Sequence, residues 1–123
     1  FLKELPHVLM VHLQRFSVSR MSSRKKRSYF GYGKDHQPVS LSITLNIASI
    51  CDSGVEESRD YQLRAMIIHE GSTASSGHYI AVVRRNDSWY RISDSSVSPI
   101  SEASALSFTD AYVIFYERTS IEQ

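Results

Sequence analysis

The sequence predicts an α+β domain that is mainly antiparallel β-sheet with one short helix. Three observations carry that reading. Runs rich in β-branched and aromatic residues recur at strand length, bounded by Gly, Pro, Asn, Asp and Ser. Two of them, Ile80–Arg85 and Ser88–Ile92, are joined by Asn86-Asp87, residues that tolerate the positive φ of a two-residue hairpin. A single segment, Ser101–Ser107 after Pro99, offers a serine cap followed by good helix formers.

In chain order, the run at 7–16 is apolar on alternate and intervening positions alike, which predicts a central strand covered on both faces. The polar stretch from Ser17 to His36 holds Arg24-Lys25-Lys26-Arg27 and predicts a solvated loop between strands. A nuclear-import signal and a patch facing an acidic partner are the other readings of that charge. Strands are expected at 40–47 and 61–69, separated by a short acidic loop from Asp52 to Asp60. Gly71–Gly77 has no apolar anchor and predicts a mobile surface loop, where binding and catalytic groups concentrate. Further strands are expected at 78–85, 88–93 and 111–118, with the helix over 101–107.

Composition narrows the class. With 123 residues, 41% of them hydrophobic, the chain is long enough for one domain or subdomain. Such a length buries about two-thirds of its unfolded surface if it folds alone. No run reaches the ~18 apolar residues of a membrane span, and residues 1–16 lack the pattern of a signal peptide. One cysteine forbids an internal disulfide framework and suits a reducing, intracellular compartment, cytoplasmic or nuclear. A net charge of +1 gives no reason to expect nucleic acid as a partner.

The chemistry-bearing stretch is Ser75-Ser76-Gly77-His78-Tyr79 with the returning Ser93-Asp94-Ser95-Ser96. A histidine at a strand entrance, beside a short polar acceptor, is the arrangement that orients an imidazole for proton transfer. If Asn86 and Asp87 are the two loop residues, cross-strand partners carry numbers that sum to 173. His78 then lies opposite Ser95 and diagonal to Ser93, with all three on one face. Tyr79, Ala81, Val83, Tyr90 and Ile92 form an apolar stripe on the other. A three-residue loop would instead put Asp94 on the face of His78, so the sequence leaves Ser93 and Asp94 both open. The plain alternative is a hydrogen-bonded sheet histidine with no catalytic task.

Several blocks, in order, resemble the carboxy-terminal part of the ubiquitin-specific protease family of papain-like cysteine proteases. Leu5-Pro6-His7-Val8-Leu9-Met10-Val11-His12-Leu13-Gln14-Arg15-Phe16 is similar to the family's Leu-Pro-x-x-Leu-x-x-His-Leu-x-Arg-Phe strand. Gln37–Ile47 resembles its Pro-Val-x-Phe-Pro-x-x-Leu-x-Leu segment, and Tyr61–Gly71 its Tyr-x-Leu-x-Ala-Val-Val-x-His-x-Gly block. Ala111–Arg118 looks like the closing Ala-Tyr-x-Leu-Phe-Tyr strand. Together the blocks cover almost the whole chain.

The resemblance implies the palm of a thumb, palm and fingers architecture over residues 1–123, with a polar basic loop at about 17–36. It implies thiol-dependent hydrolysis of the bond after ubiquitin's carboxy-terminal glycine, with His78 as general base and ubiquitin or a ubiquitinated protein as partner. Ser93 stands where the family usually has Asp or Asn, and Asp94 follows it. A neutral hydroxyl stabilises an imidazolium less than a carboxylate does, which implies a slower or more selective enzyme. Leu41, His69, Gly77 and Tyr79 are implied along the ubiquitin tail, whose glycines let it pass between narrow walls.

The family's Gly-Asn-Thr-Cys box does not occur in these residues, so the resemblance implies a nucleophile on a thumb and fingers segment outside them. Cys51, in Ser49-Ile50-Cys51-Asp52-Ser53-Gly54, reads as an ordinary thiol. Without a Cys-x-x-Cys pair, no metal site and no cofactor are expected. Two other functions compete with the active hydrolase: a ubiquitin-binding pseudoenzyme, in which Ser93 marks lost catalysis, and a scaffold that keeps only the palm fold.

Overall fold

The structure, a computed structural model, describes residues 1–22, 28–34, 37–73 and 76–119. Nine strands and one helix are built: β1 Val8–His12, β2 Phe16–Ser22, β3 Ser28–Lys34, β4 Thr44–Asn46, β5 Asp60–Thr73, β6 Ser76–Arg85, β7 Ser88–Ser93, β8 Ser96–Ile100, α1 Glu102–Leu106 and β9 Ala111–Arg118. Seven strands make one antiparallel sheet in the order β1-β9-β5-β6-β7-β8, with β4 also pairing β5. β2 and β3 form a separate two-stranded sheet. The α+β class with its single short helix is therefore the observed one.

The β6–β7 hairpin follows the expected register, Val83 facing Tyr90 and Ala81 facing Ile92. Asn86 takes a φ of 56°, the left-handed backbone that Asn accepts at low cost. Helix α1 starts behind Ser101, whose Oγ accepts from the Ser104 N–H at 3.1 Å. Its buried Ala105 faces the core.

One sheet face carries the core. Tyr61, Leu63, Met66 and Ile68 of β5, Ile80 and Val82 of β6, Trp89 of β7, and Ile114 and Tyr116 of β9 are all buried there. On β5 the buried set changes from odd to even numbers where the ladder to β9 shifts register, between Leu63 and Ala65. Each such aliphatic or Met side chain contributes about 1.5–3 kcal/mol on leaving water. Burial also pushes the phenol pKa values of Tyr61 and Tyr116 up from 10.0, and the nearby Arg118 charge only partly opposes this at Tyr61. The unfolded chain then loses these protons first, so their contribution to stability is whole below pH 10.0 and drains away as pH rises above it. Melting curves across that range will show Tm falling with pH, and a Tyr61→Phe, Tyr116→Phe double variant will flatten the fall.

The opposite face is largely uncovered among the described residues. Val8 and Met10 of β1, Tyr79 of β6 and Val97 of β8 are exposed. Half-buried Val83, Tyr90 and Ile92 line an open depression of about 540 Å³ there, with Arg85, Asn86, Ser88 and Val97. The stripe expected from the hairpin register is thus real, but it belongs to the open face. The core runs through Ile80, Val82 and Trp89 instead.

Four expectations need correction. The 7–16 run is not a central strand: β1 is an edge, its Leu9 and Val11 packed on the core and its Val8 and Met10 on the open face. Its two-sided apolar pattern comes from that second, uncovered face. The 17–36 stretch is no loop where it is described, because β2 and β3 form a hairpin there; Arg24-Lys25-Lys26-Arg27 lies outside the described residues. Gly71–Gly77 is mostly strand, with β5 running to Thr73 and β6 starting at Ser76; residues 74–75 lie outside the described ones. The expected strand at 40–47 shrinks to β4, with a 3-10 turn at Ala48–Ile50 after it.

Candidate functional site

The site forms where β6 begins. Glu70 of β5 pairs with His78 across the ladder, and Gly77 just before it has a φ of +117°. An L side chain rarely adopts that backbone. A Cβ at Gly77 would also overlap the Glu70 carbonyl oxygen and lie 2.9 Å from His69 Nε2. Glycine therefore lets β6 enter the sheet flush against β5 and over the buried His69 ring.

On its other flank the β6–β7 ladder ends at Ala81–Ile92. Beyond it β7 turns toward β8, closing with the Ser93–Ser96 pair. Ser93 Oγ lies 2.7 Å from His78 Nε2. His78 and Ser93 are both half-buried, so the bond is shielded from water on one side. With the proton on Nε2, the ring donates to Ser93 Oγ and leaves the Nδ1 lone pair to take a proton from an acid. Ser95, expected opposite His78, is in the turn and outside the ladder. Asp94 opens that turn with a φ of 52°, is exposed, and makes no hydrogen bond or ion pair among the described residues. Of the two acceptors left open by the sequence, Ser93 is the one that touches the ring.

The other candidates divide in two. His69, completely buried, packs its ring 4.7 Å from Tyr79, so Gly77, His69 and Tyr79 form one contiguous wall on the open face, with Gly77 and Tyr79 flanking His78 along β6. Leu41 is half-buried and packs on the core; its segment is tied to this end of the sheet by the Val39 N–H, which donates to the Thr109 carbonyl at 2.9 Å. Sequence reasoning missed Tyr112 and His12. Tyr79 and Tyr112 lie 6.1 Å apart, and His12 meets Tyr112 edge-on at 4.8 Å, extending the aromatic row across the sheet. Both sit in blocks read only as strand markers, and the neighbouring-strand face of Tyr79 was the signal that would have found them.

Cys51 is half-buried and its thiol donates to the Ile47 carbonyl at 3.1 Å. It follows β4, which pairs with the Asp60 end of β5, whereas His78 pairs with Glu70. Ten residues of strand separate those ends, roughly 30 Å. Cys51 is therefore no partner for His78. Among the described residues, no three His, Cys, Asp or Glu side chains converge on a metal-sized point, and no helix is long and apolar enough to cross a membrane.

Comparison with known proteins gives a consistent result. Residues 1–116 match the family model described as ubiquitin carboxyl-terminal hydrolase. The chain is 32% identical over 130 residues to ubiquitin carboxyl-terminal hydrolase 9 of Saccharomyces cerevisiae, covering 99% of this chain and 16% of that protein. It is 36% identical to ubiquitin carboxyl-terminal hydrolase 10 of the same yeast, covering 92% of this chain and 13% of that one. Among solved structures, the SAGA Ubp8/Sgf11/Sus1/Sgf73 DUB module bound to ubiquitin aldehyde superposes with a TM-score of 0.76 at 25% identity, over 96% of this chain and 26% of the matched one. A further structure of that module gives 0.74 at 28% identity, over 96% and 25%. The chain thus spans about a sixth or less of these curated relatives and about a quarter of the solved chains.

Proposed function

The chain belongs to the ubiquitin carboxyl-terminal hydrolase family, and from that membership we propose that it is the histidine-bearing palm of a thiol-dependent deubiquitinase. The single observation that carries the proposal is the 2.7 Å pair of His78 Nε2 and Ser93 Oγ where β6 begins. His78 Nδ1 takes the proton of a cysteine thiol brought by a segment outside these residues. The thiolate attacks the carbonyl carbon of ubiquitin's terminal glycine, and the imidazolium then protonates the leaving amine. Water hydrolyses the resulting thioester with the same imidazole as base. A thiol nucleophile of this kind fits a reducing compartment, cytoplasmic or nuclear.

Gly77, His69 and Tyr79, together with Tyr112 and Leu41, line the path of the ubiquitin tail in this reading. A neighbour of the same fold whose structure is bound to ubiquitin aldehyde supports ubiquitin as the partner. Ubiquitin carrying an electrophilic carboxy terminus, added to the full-length protein, will form a one-to-one adduct on that cysteine. Tight binding without an adduct favours the pseudoenzyme reading, for which the neutral Ser93 speaks. Neither binding nor adduct overturns both.

Ser93 also sets the rate in this proposal. Removing a neutral hydrogen bond costs about 0.5–1.5 kcal/mol, so Ser93→Ala will lower kcat by roughly 2- to 10-fold. Asp94→Ala will cost less, because its carboxylate does not touch the ring. Ser93→Asp supplies a charge-assisted acceptor, about twice as strong, and will raise kcat above wild type. Steady-state kinetics on the three variants checks the order, and a larger loss from Asp94→Ala than from Ser93→Ala would reverse the assignment.

A further inference from the structure

We infer that Arg15 is a positioning residue for substrate binding: it fixes Tyr112 against Tyr79 and so sets the aromatic wall of His69, Tyr79 and Tyr112. This rests on the reading of that wall as the ubiquitin-tail path. Arg15 follows β1 and is only 3% exposed. Its Nε donates to the Ala111 carbonyl at 2.7 Å, Nη1 to the Gln37 carbonyl at 2.8 Å and Nη2 to the Thr109 carbonyl at 3.0 Å. A buried guanidinium holds its geometry because its donors form a rigid planar fork and each must find an acceptor.

Those acceptors lie on the two segments that carry the wall. Thr109 and Ala111 lead directly into Tyr112, whose own carbonyl accepts from the Leu13 N–H at 3.0 Å. Tyr112 is thus held through the Ala111 carbonyl before it and through its own, with His12 edge-on against its ring. The Gln37 bond and the Val39–Thr109 bond tie in the segment leading to Leu41. The His78–Ser93 bond belongs to β6 and β7 and uses none of these groups. Loss of the Arg15 fork should therefore loosen substrate binding more than proton transfer.

Lysine keeps the charge but presents one ammonium on a flexible stem and cannot span three carbonyls in a plane. In the full-length protein, assayed on ubiquitin with a fluorogenic carboxy-terminal leaving group, Arg15→Lys will raise KM about 5- to 10-fold while kcat per titrated active site falls less than about 3-fold. KM does not depend on how much of the variant folds. Tyr112→Ala, with Arg15 intact, will raise KM by itself, and adding Arg15→Lys to it will raise KM little further. A wild-type KM in either single variant, a loss in kcat alone, or additive effects in the double variant would overturn the inference. A wild-type KM in Tyr79→Ala would instead bring down the reading of the wall as the tail path, so the two failures are distinguishable.

Discussion

His78→Ala in the full-length protein will lower kcat for ubiquitin hydrolysis by about 10²–10⁴-fold, with KM nearly unchanged. The size follows from what a positioned base contributes, since without the imidazole the thiol must ionise unaided and the leaving amine must depart unprotonated. In the proposed mechanism KM holds because His78 acts on the reacting atoms, whereas the wall of Gly77, His69 and Tyr79 takes the length of the tail. Active-site-titrated kinetics, with circular dichroism to show that the variant folds, separates lost chemistry from lost protein. The half-buried His78 leaves no core cavity when truncated, so the fold is expected to survive.

Gly77→Ala will lower kcat by about 10²-fold, because a 1 Å misplacement of a catalytic group costs that much, and will also destabilise the domain. The added methyl meets a backbone atom, the Glu70 carbonyl oxygen, and not the yielding end of a side chain. Glu70 is paired with His78 of β6 and lies two residues past Ile68, where β5 is also paired with β9, so its carbonyl is anchored by the sheet. β6 must give way, and His78 moves with it because it is the next residue. A left-handed backbone forced on alanine adds about 1–3 kcal/mol of strain. A fall in Tm of several degrees is therefore expected alongside the kinetic loss. Gly54→Ala is the control, because a Cβ there meets nothing within 4 Å.

Much of this site was legible in the sequence, and the reasons differ by element. Of the two loop lengths that Asn86-Asp87 allowed, the β6–β7 ladder takes the two-residue one, and Ser101 marked the start of α1 because its hydroxyl has an N–H to satisfy. The family resemblance pointed to His78, His69, Gly77 and Tyr79, and the structure packs His69 against Tyr79 and under Gly77, on either side of His78 in sequence. The choice between Ser93 and Asp94 was illegible, since it turned on whether the hairpin loop has two residues or three, and sequence did not say where the ladder ends. It ends at Ile92, and Asp94 is spent on the turn to β8. β8 itself, Ser96–Ile100, was hidden by its serines and by Pro99, a residue tolerated on an edge strand. β2 and β3 were hidden by the basic run between them, which made the whole stretch look solvated.

The same point explains β1. A strand apolar on both sides normally reads as central, but here the second apolar side belongs to a face that the described residues leave open. Sequence pattern reports which side chains avoid water, and it does not report whether the cover comes from this chain or from another segment. Tyr112 and His12 escaped notice for a related reason. Their contacts with Tyr79 and with each other run across three strands that are remote in sequence, a relation that periodicity within one strand cannot express.

The most direct test of the arrangement at His78 is its tautomer. In the full-length protein, with the proposed nucleophilic cysteine replaced by alanine, ¹⁵N chemical shifts of the ring report which nitrogen carries the proton. The bond to Ser93 predicts protonated Nε2 and a free Nδ1 facing the vacated thiol position. A ring protonated on Nδ1, unaffected by Ser93→Ala, would contradict the assignment of His78 as the base held by Ser93.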